Sequence, residues 1–180
     1  MAQGNEFQSS GNIAADGSFT DSFHETYTDE VYPLGTIRYQ SADEVSASTH
    51  TDGTNLGLKG DREWIFVKES AAIGIYEMTE SVGVVTESFE ARPCNAAATL
   101  PIVLKGVAQR AIPANEFGWV VRRGECVVKA EAGIAAGAVL DTHAAGSVDD
   151  GGTATAAVGL STTATGTPVA GTVRAHIALP

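Results

Sequence analysis

Short runs of apolar residues, broken every few positions by glycine or a polar turn, set the pattern of this chain. Residues 35–39, 64–67, 73–78, 82–85, 101–107, 117–121 and 125–130 each read as a strand of a few residues. Asp52-Gly53 marks a turn. Val120-Val121 and Val127-Val128 flank Arg122-Arg123-Gly124, which predicts a hairpin with Gly124 at positive φ. From 169 to 179 the alternation is clean. Val169, Gly171, Val173, Ala175, Ile177 and Leu179 fall on one face, and Ala170, Thr172, Arg174, His176 and Ala178 on the other. That is a period-2 strand with one buried side, and it places His176 at the surface. No stretch carries a long 3.6-residue period. The expected fold is all-β, a small barrel or sandwich of short antiparallel strands with an extended N-terminal arm.

The arm opens on a Gly/Ser/Asn-rich stretch, 4–17. Phe19, Phe23, Tyr27 and Val31 then recur every four residues, which suits one face of a helix and also one face of a strand. The intervening Thr and Ser favour the extended form, while Ser18 with Asp21 would suit a helix cap. The domain reading is an extended acidic, aromatic arm over 1–33 and a β-rich body over 34–180, with a possible subdivision near 124. Aromatics gathered on an arm are expected either to dock on another chain or to pack back on their own domain. The docking choice makes Phe19, Phe23, Tyr27 and Tyr32 the candidate contacts with that other chain or a neighbouring subunit.

Charge sharpens that division. The 180 residues hold 22 acids against 11 bases, a net charge of −11. Residues 1–37 contain six acids and no base, so over half the net charge lies in the first fifth of the chain. Such a balance opposes binding to nucleic-acid phosphates or to an anionic membrane surface. No run approaches the roughly 18 apolar residues that span a bilayer. The first six residues have neither a basic nor an apolar signal region, so no secretory signal is expected. Of residues 130–180, thirty are Ala, Gly or Thr, which implies a thin core, yet the last strand is too well patterned for a linker.

Chemistry-bearing residues are scattered. His24, His50, His143 and His176 lack ligand spacing among themselves or with Cys94 and Cys126, so neither metal nor cofactor is expected. The two cysteines read as ordinary thiols. Asp149-Asp150 lacks the further spaced oxygens of a calcium loop. There is no phosphate-binding loop and no nucleophile elbow. Glu87 and Glu90 read as a solvated pair rather than an acid and base. Trp64 and Trp119 are expected in the core, with sugar stacking as the alternative. The expectation is a protein that is not an enzyme.

Several blocks resemble the small decoration, or cement, proteins of tailed-bacteriophage heads. They begin at Leu34-Gly35-Thr36 and continue through Gly60 to Lys68 and Gly106-Val107-Ala108-Gln109. The most specific is Ala114-Asn115-Glu116-Phe117-Gly118-Trp119-Val120-Val121, closed by Gly124. Ala136 to Leu140, Ala145 to Val148 and Gly171 to Ile177 follow the same family pattern. The resemblance covers roughly residues 34–178. It implies a β-rich body, homo-oligomers that are often trimers, and a structural role on the outside of an assembled capsid. The implied partners are the major capsid protein and further copies of this chain, and the implied location is the virion, after synthesis in the host bacterial cytoplasm. No catalytic residue comes with the resemblance, and the acidic arm has no counterpart in it. The alternative is a virion adhesion or carbohydrate-binding module.

Overall fold

The structure is a computed structural model, and it describes residues 23, 25–46, 48–50, 53–82, 89–95, 103–150 and 157–179. Eleven strands are present among them: β1 (Thr26–Tyr27), β2 (Ile37–Gln40), β3 (Arg62–Glu69), β4 (Met78–Ser81), β5 (Glu90–Pro93), β6 (Leu104–Ala108), β7 (Phe117–Lys129), β8 (Val139–Thr142), β9 (Val148–Asp149), β10 (Ala157–Ser161) and β11 (Thr172–Ala178). One short helix, α1 (Ala42–Ser46), and a 3-10 turn over Ala144–Gly146 complete the secondary structure. The fold is all-β, as the short apolar runs imply.

The pairings close on themselves. β3 joins β5, β5 joins β4, β4 joins β6, β6 joins β7, and β7 returns to β3. The β3–β5 contact is parallel, through Lys68↔Glu90 and Glu69↔Ala91, whereas every other link of the ring is antiparallel. β2 adds an outer strand to β3, and β11, β10, β8 and β9 extend the sheet from the second half of β7. Arg123 of β7 faces Glu63 of β3 and Ala178 of β11 at once, so the extension grows from the edge of β7 opposite β3.

Alternation along β3 sorts the core. Trp64 and Phe66 join Met78, Val107, Trp119, Val121, Val173 and Ile177 in the main cluster. Ile65 and Val67 meet Ile73, Ala91, Ala108, Ile112 and Val120 in a second. The buried side of β11 is the one its alternation marks: Val173, Ala175 and Ile177 are fully enclosed and His176 is exposed. Trp64 and Trp119 are core residues, at 0% and 2% exposure.

Two expected elements differ. Residues 117–130 form no hairpin: β7 runs unbroken through Gly124. Gly124 does take positive φ (+104°), but as part of a bulge where the register with β3 slips between Glu63 and Trp64. A Cβ there would collide with the Asp61 carbonyl and the Arg62 backbone, so the chain passes only as glycine. The continuous strand also removes the basis for a subdivision near 124. The run 73–78 is a turn, not a strand, with Ile73 bridged to Ile112 and β4 starting only at Met78. The run 82–85 lies almost wholly outside the described residues.

That turn is one of five alike. At Pro33–Thr36, Gly74–Glu77, Pro113–Glu116, Ala135–Ala138 and Val169–Thr172 the fourth amide donates to the first carbonyl, at 3.0–3.3 Å. The third position takes positive φ each time, at Gly35, Tyr76, Asn115, Gly137 and Gly171. These are the features of a type II turn. Each launches a strand, β2, β4, β7, β8 and β11 in order. In the first four a buried apolar residue precedes the turn: Tyr32, Ile73, Ile112 and Ile134.

Candidate functional site

The arm residues proposed for docking turn inward. The Phe23 ring stacks on Trp64 at 4.8 Å and meets Trp119 edge-on at 5.9 Å. The Arg38 guanidinium lies over Phe23 at 4.5 Å. Tyr32 is buried 5.3 Å from Trp119 and 5.4 Å from Phe66, and Tyr27 sits 6.0 Å from Phe66. β1 adds backbone pairing, Thr26↔Gly118 and Tyr27↔Phe117. Packing back is therefore what these three aromatics do in the folded chain, and the boundary at 33/34 cuts through a packed layer. The cause is plain: Trp64, Phe66 and Trp119 make a broad aromatic face that only other large rings cover well. Phe19 and the rest of 1–22 lie outside the described residues.

One cleft stands out. It encloses about 670 Å³ between the loop after α1 and the turns at 74–77 and 109–111. His50 and Tyr76 meet there, with Nδ1 2.6 Å from the phenol oxygen. Gln40 faces the cleft while its Oε1 accepts from Trp64 Nε1 at 3.0 Å. Gln109 is pinned to the Val127 backbone by both ends of its amide, and Glu44 and Arg110 stand at the rim. Tyr76 is the informative residue. It holds φ +68° where three of the equivalent turns use glycine and one asparagine, a conformation that costs a bulky side chain about 1–2 kcal/mol. Its neighbours enforce that geometry, with Tyr76 N donating to the Ala108 carbonyl and Lys129 N to the Tyr76 carbonyl, each at 2.7 Å. Tyr76 is buried with Val45, Leu56, Leu58 and Val127 in a third core cluster, so packing of its ring offsets that backbone cost while the residue also borders the cleft. A cleft of this size lined by amide, imidazole and phenol groups and by one acid and one base suits a small polar ligand.

Among the described residues two exposed apolar pairs form further surfaces. On β2, Ile37 and Tyr39 are 40% and 75% exposed. They face Ile65 and Glu63 across the strand pair, beside a hollow lined by Phe89, Lys105 and Arg122. On the far side of the sheet, Val139 and Leu160 are directly paired and 55% and 52% exposed. One step along lies the Asp141↔Asp149 pair, where burial and the neighbouring carboxylate push Asp141 above its ordinary value.

The remaining candidates resolve simply. His143 contacts Glu131 at 3.3 Å, and Glu90 lies 4.0 Å from Lys68. His24 and Glu87 lie outside the described residues. Among the described residues no group of three His, Cys, Asp or Glu is placed to hold a metal. Cys94 and Cys126 are free and buried, and burial pushes each thiol up to about 12. Glu69 is fully enclosed with neither carboxylate oxygen hydrogen-bonded, and burial pushes it up to about 8. The recurrence of the five turns was the available signal for Tyr76, since one of them alone carries an aromatic at the positive-φ position.

No family model matches the chain, and no curated protein matches it. Among solved structures it is similar to the N base of the head fiber protein gp8.5 of bacteriophage phi29, at 15% identity and a TM-score of 0.44. That likeness covers 63% of this chain and 92% of the other. A similarity of that degree leaves function to the residues themselves.

Proposed function

We propose that this protein is a structural component of a tailed-bacteriophage virion, which binds the outside of the assembled capsid and decorates or stabilises it. One observation carries the reading. Four of the seven blocks that resemble decoration proteins, at 34–36, 114–121, 136–140 and 171–177, fall on the turn-and-strand unit, with Gly35, Asn115, Gly137 and Gly171 at its positive-φ position. That overlap supports the reading. A rigid ring of strands with small exposed patches suits a task in which many weak contacts repeat by symmetry and avidity replaces a deep pocket. The partners are the major capsid protein and further copies of the chain, as a homotrimer in the pattern of the resemblance. Synthesis is in the host cytoplasm, and the role is not catalytic. Phe19 is the arm aromatic proposed for the capsid contact. Electron microscopy and protein identification on purified virions test the reading. Density for this chain on the outer shell at lattice-symmetric positions is expected; a location in the tail, or no incorporation, refutes it.

The second reading is an adhesion or carbohydrate-binding module. Trp64 and Trp119 are buried and offer no sugar platform. The cleft around His50 and Tyr76 is the observation that favours this reading, and glycan binding lost on Tyr76→Phe would support it.

A further inference from the structure

We propose that the cleft beside Tyr76 binds an uncharged saccharide, held by the side-chain amides of Gln40 and Gln109 and the carboxylate of Glu44. This rests on the second reading above and gives its cleft a ligand class and a set of contacts. Chemistry fixes the orientation of both amides. Trp64 Nε1 can only donate, so the group facing it at 3.0 Å is the Gln40 oxygen, and Gln40 Nε2 is left over. Gln109 Oε1 accepts from the Val127 amide at 3.3 Å, and one hydrogen of its Nε2 goes to the Val127 carbonyl at 2.9 Å. The second hydrogen is left over in the same way. Among the described residues nothing accepts from either donor. Gln40 and Gln109 are 7% and 6% exposed, and both line the cleft. The lining therefore presents N–H donors whose acceptor ends are already spent. Donors enclosed to this degree are costly to leave unpaired, so they call for a ligand rich in acceptor oxygens.

Charge selects an uncharged one. Glu44 offsets Arg110 on the lining, and Arg110 already has an interaction of its own. Arg62, which interacts electrostatically with Tyr76, is matched by the Glu125 carboxylate. Asp43 in the first turn of α1 and Asp61, which accepts from the Ala42 amide at 2.8 Å, add two acids nearby. On a chain of net charge −11 an anionic ligand meets repulsion there. Glu44 supplies the complementary acceptor. Its Oε2 accepts from the Ser41 amide and hydroxyl at 3.0 and 3.2 Å, which holds the carboxylate in place and leaves Oε1 for a ligand. A sugar hydroxyl both accepts and donates, so neighbouring hydroxyls answer the amides and the carboxylate together. Ile75 and Ala111 give the ring carbons an apolar surface.

The test titrates the full, isotope-labelled chain with neutral mono- and disaccharides of glucose, galactose, mannose and N-acetylglucosamine. Glucuronate is the anionic control and N-acetylglycinamide the peptide-like one. NMR reads affinity together with the side-chain NH2 signals of Gln40 and Gln109. At least one neutral sugar is expected to bind and to shift both signals, with glucuronate weaker. Gln40→Glu keeps an oxygen for Trp64 but removes the donor, and Glu44→Gln removes the carboxylate at an exposed position; melting curves verify folding. Each is expected to weaken binding about tenfold or more. Should Gln40→Glu fail to fold, the wild-type signals and Glu44→Gln decide. A neutral sugar that binds without moving these signals, or whose affinity the folded variants leave unchanged, overturns the cleft contacts and leaves the carbohydrate-binding reading standing. Glucuronate or the peptide analogue bound more tightly than every neutral sugar overturns the ligand class. No binding by any sugar overturns both the proposal and the reading it rests on.

Discussion

Truncation of the arm at two points separates its two parts. Removing residues 1–33 strips Phe23, Tyr27 and Tyr32 from the face formed by Trp64, Phe66 and Trp119. Tyr32 is almost fully enclosed, and full burial of such a side chain contributes about 1.5–3 kcal/mol. Phe23 and Tyr27 are half-buried and add about half as much each. The total is roughly 5 kcal/mol, against the roughly 5–15 kcal/mol that holds a typical domain together. For a chain of this size that lowers Tm by about 10–20 °C. Removing only residues 1–22 leaves all three rings in the chain and is expected to lower Tm by less than the longer deletion does. Differential scanning calorimetry of the three chains reads both shifts directly. A 1–33 deletion that melts with the full chain would refute the account of these rings as core.

Other consequences follow from single residues. Glu69 is protonated in the native state up to about pH 8, whereas an unfolded carboxyl ionises near 4.3. The native state therefore holds a proton that the unfolded chain has released. Stability falls as pH rises through that window, by an amount on the order of a few kcal/mol. Glu69→Met is expected to flatten the slope and to gain about 1–3 kcal/mol at pH 8 in urea melts, because its unpaired oxygens are gone. Both cysteines are expected to resist a thiol reagent at neutral pH in the native protein and to react fully in denaturant; rapid native labelling would contradict their enclosure. Gly124→Ala places a Cβ at φ +104° against the Asp61 carbonyl and is expected to cost about 2–4 kcal/mol in the same urea assay.

Local patterns announced some of this fold and hid the rest. The alternation at 169–179 has one chemical meaning, a strand with one wet face, and β11 carries it out. Residues 122–124 are ambiguous, because a bulge and a hairpin both need a residue at positive φ flanked by β-formers. Only the partner strand β3, about 60 positions upstream, decides between them. Ile73 to Met78 reads as a strand because nothing in a tyrosine side chain advertises a left-handed backbone; the neighbours at Ala108 and Lys129 impose it. Ring closure through β3 and β5 rests on two residue pairs and is invisible locally. The aromatics at 23, 27 and 32 show that something must cover them. The choice between a partner and their own body lies in the face presented by Trp64, Phe66 and Trp119, which only the folded chain displays. The cleft was equally hidden, since His50 and Tyr76 are 26 residues apart.

The middle of β7 has a last consequence. Phe23 reaches the body beside Trp119, and Leu179 donates its amide to the Arg122 carbonyl three residues further along the same strand. At about 3.3 Å per residue these points are about 10 Å apart. The described chain thus begins and ends against the same stretch of β7. A short linker from 179 back to 23, with new ends opened in the exposed turn around Gly133, yields a circular permutant that keeps every strand pairing.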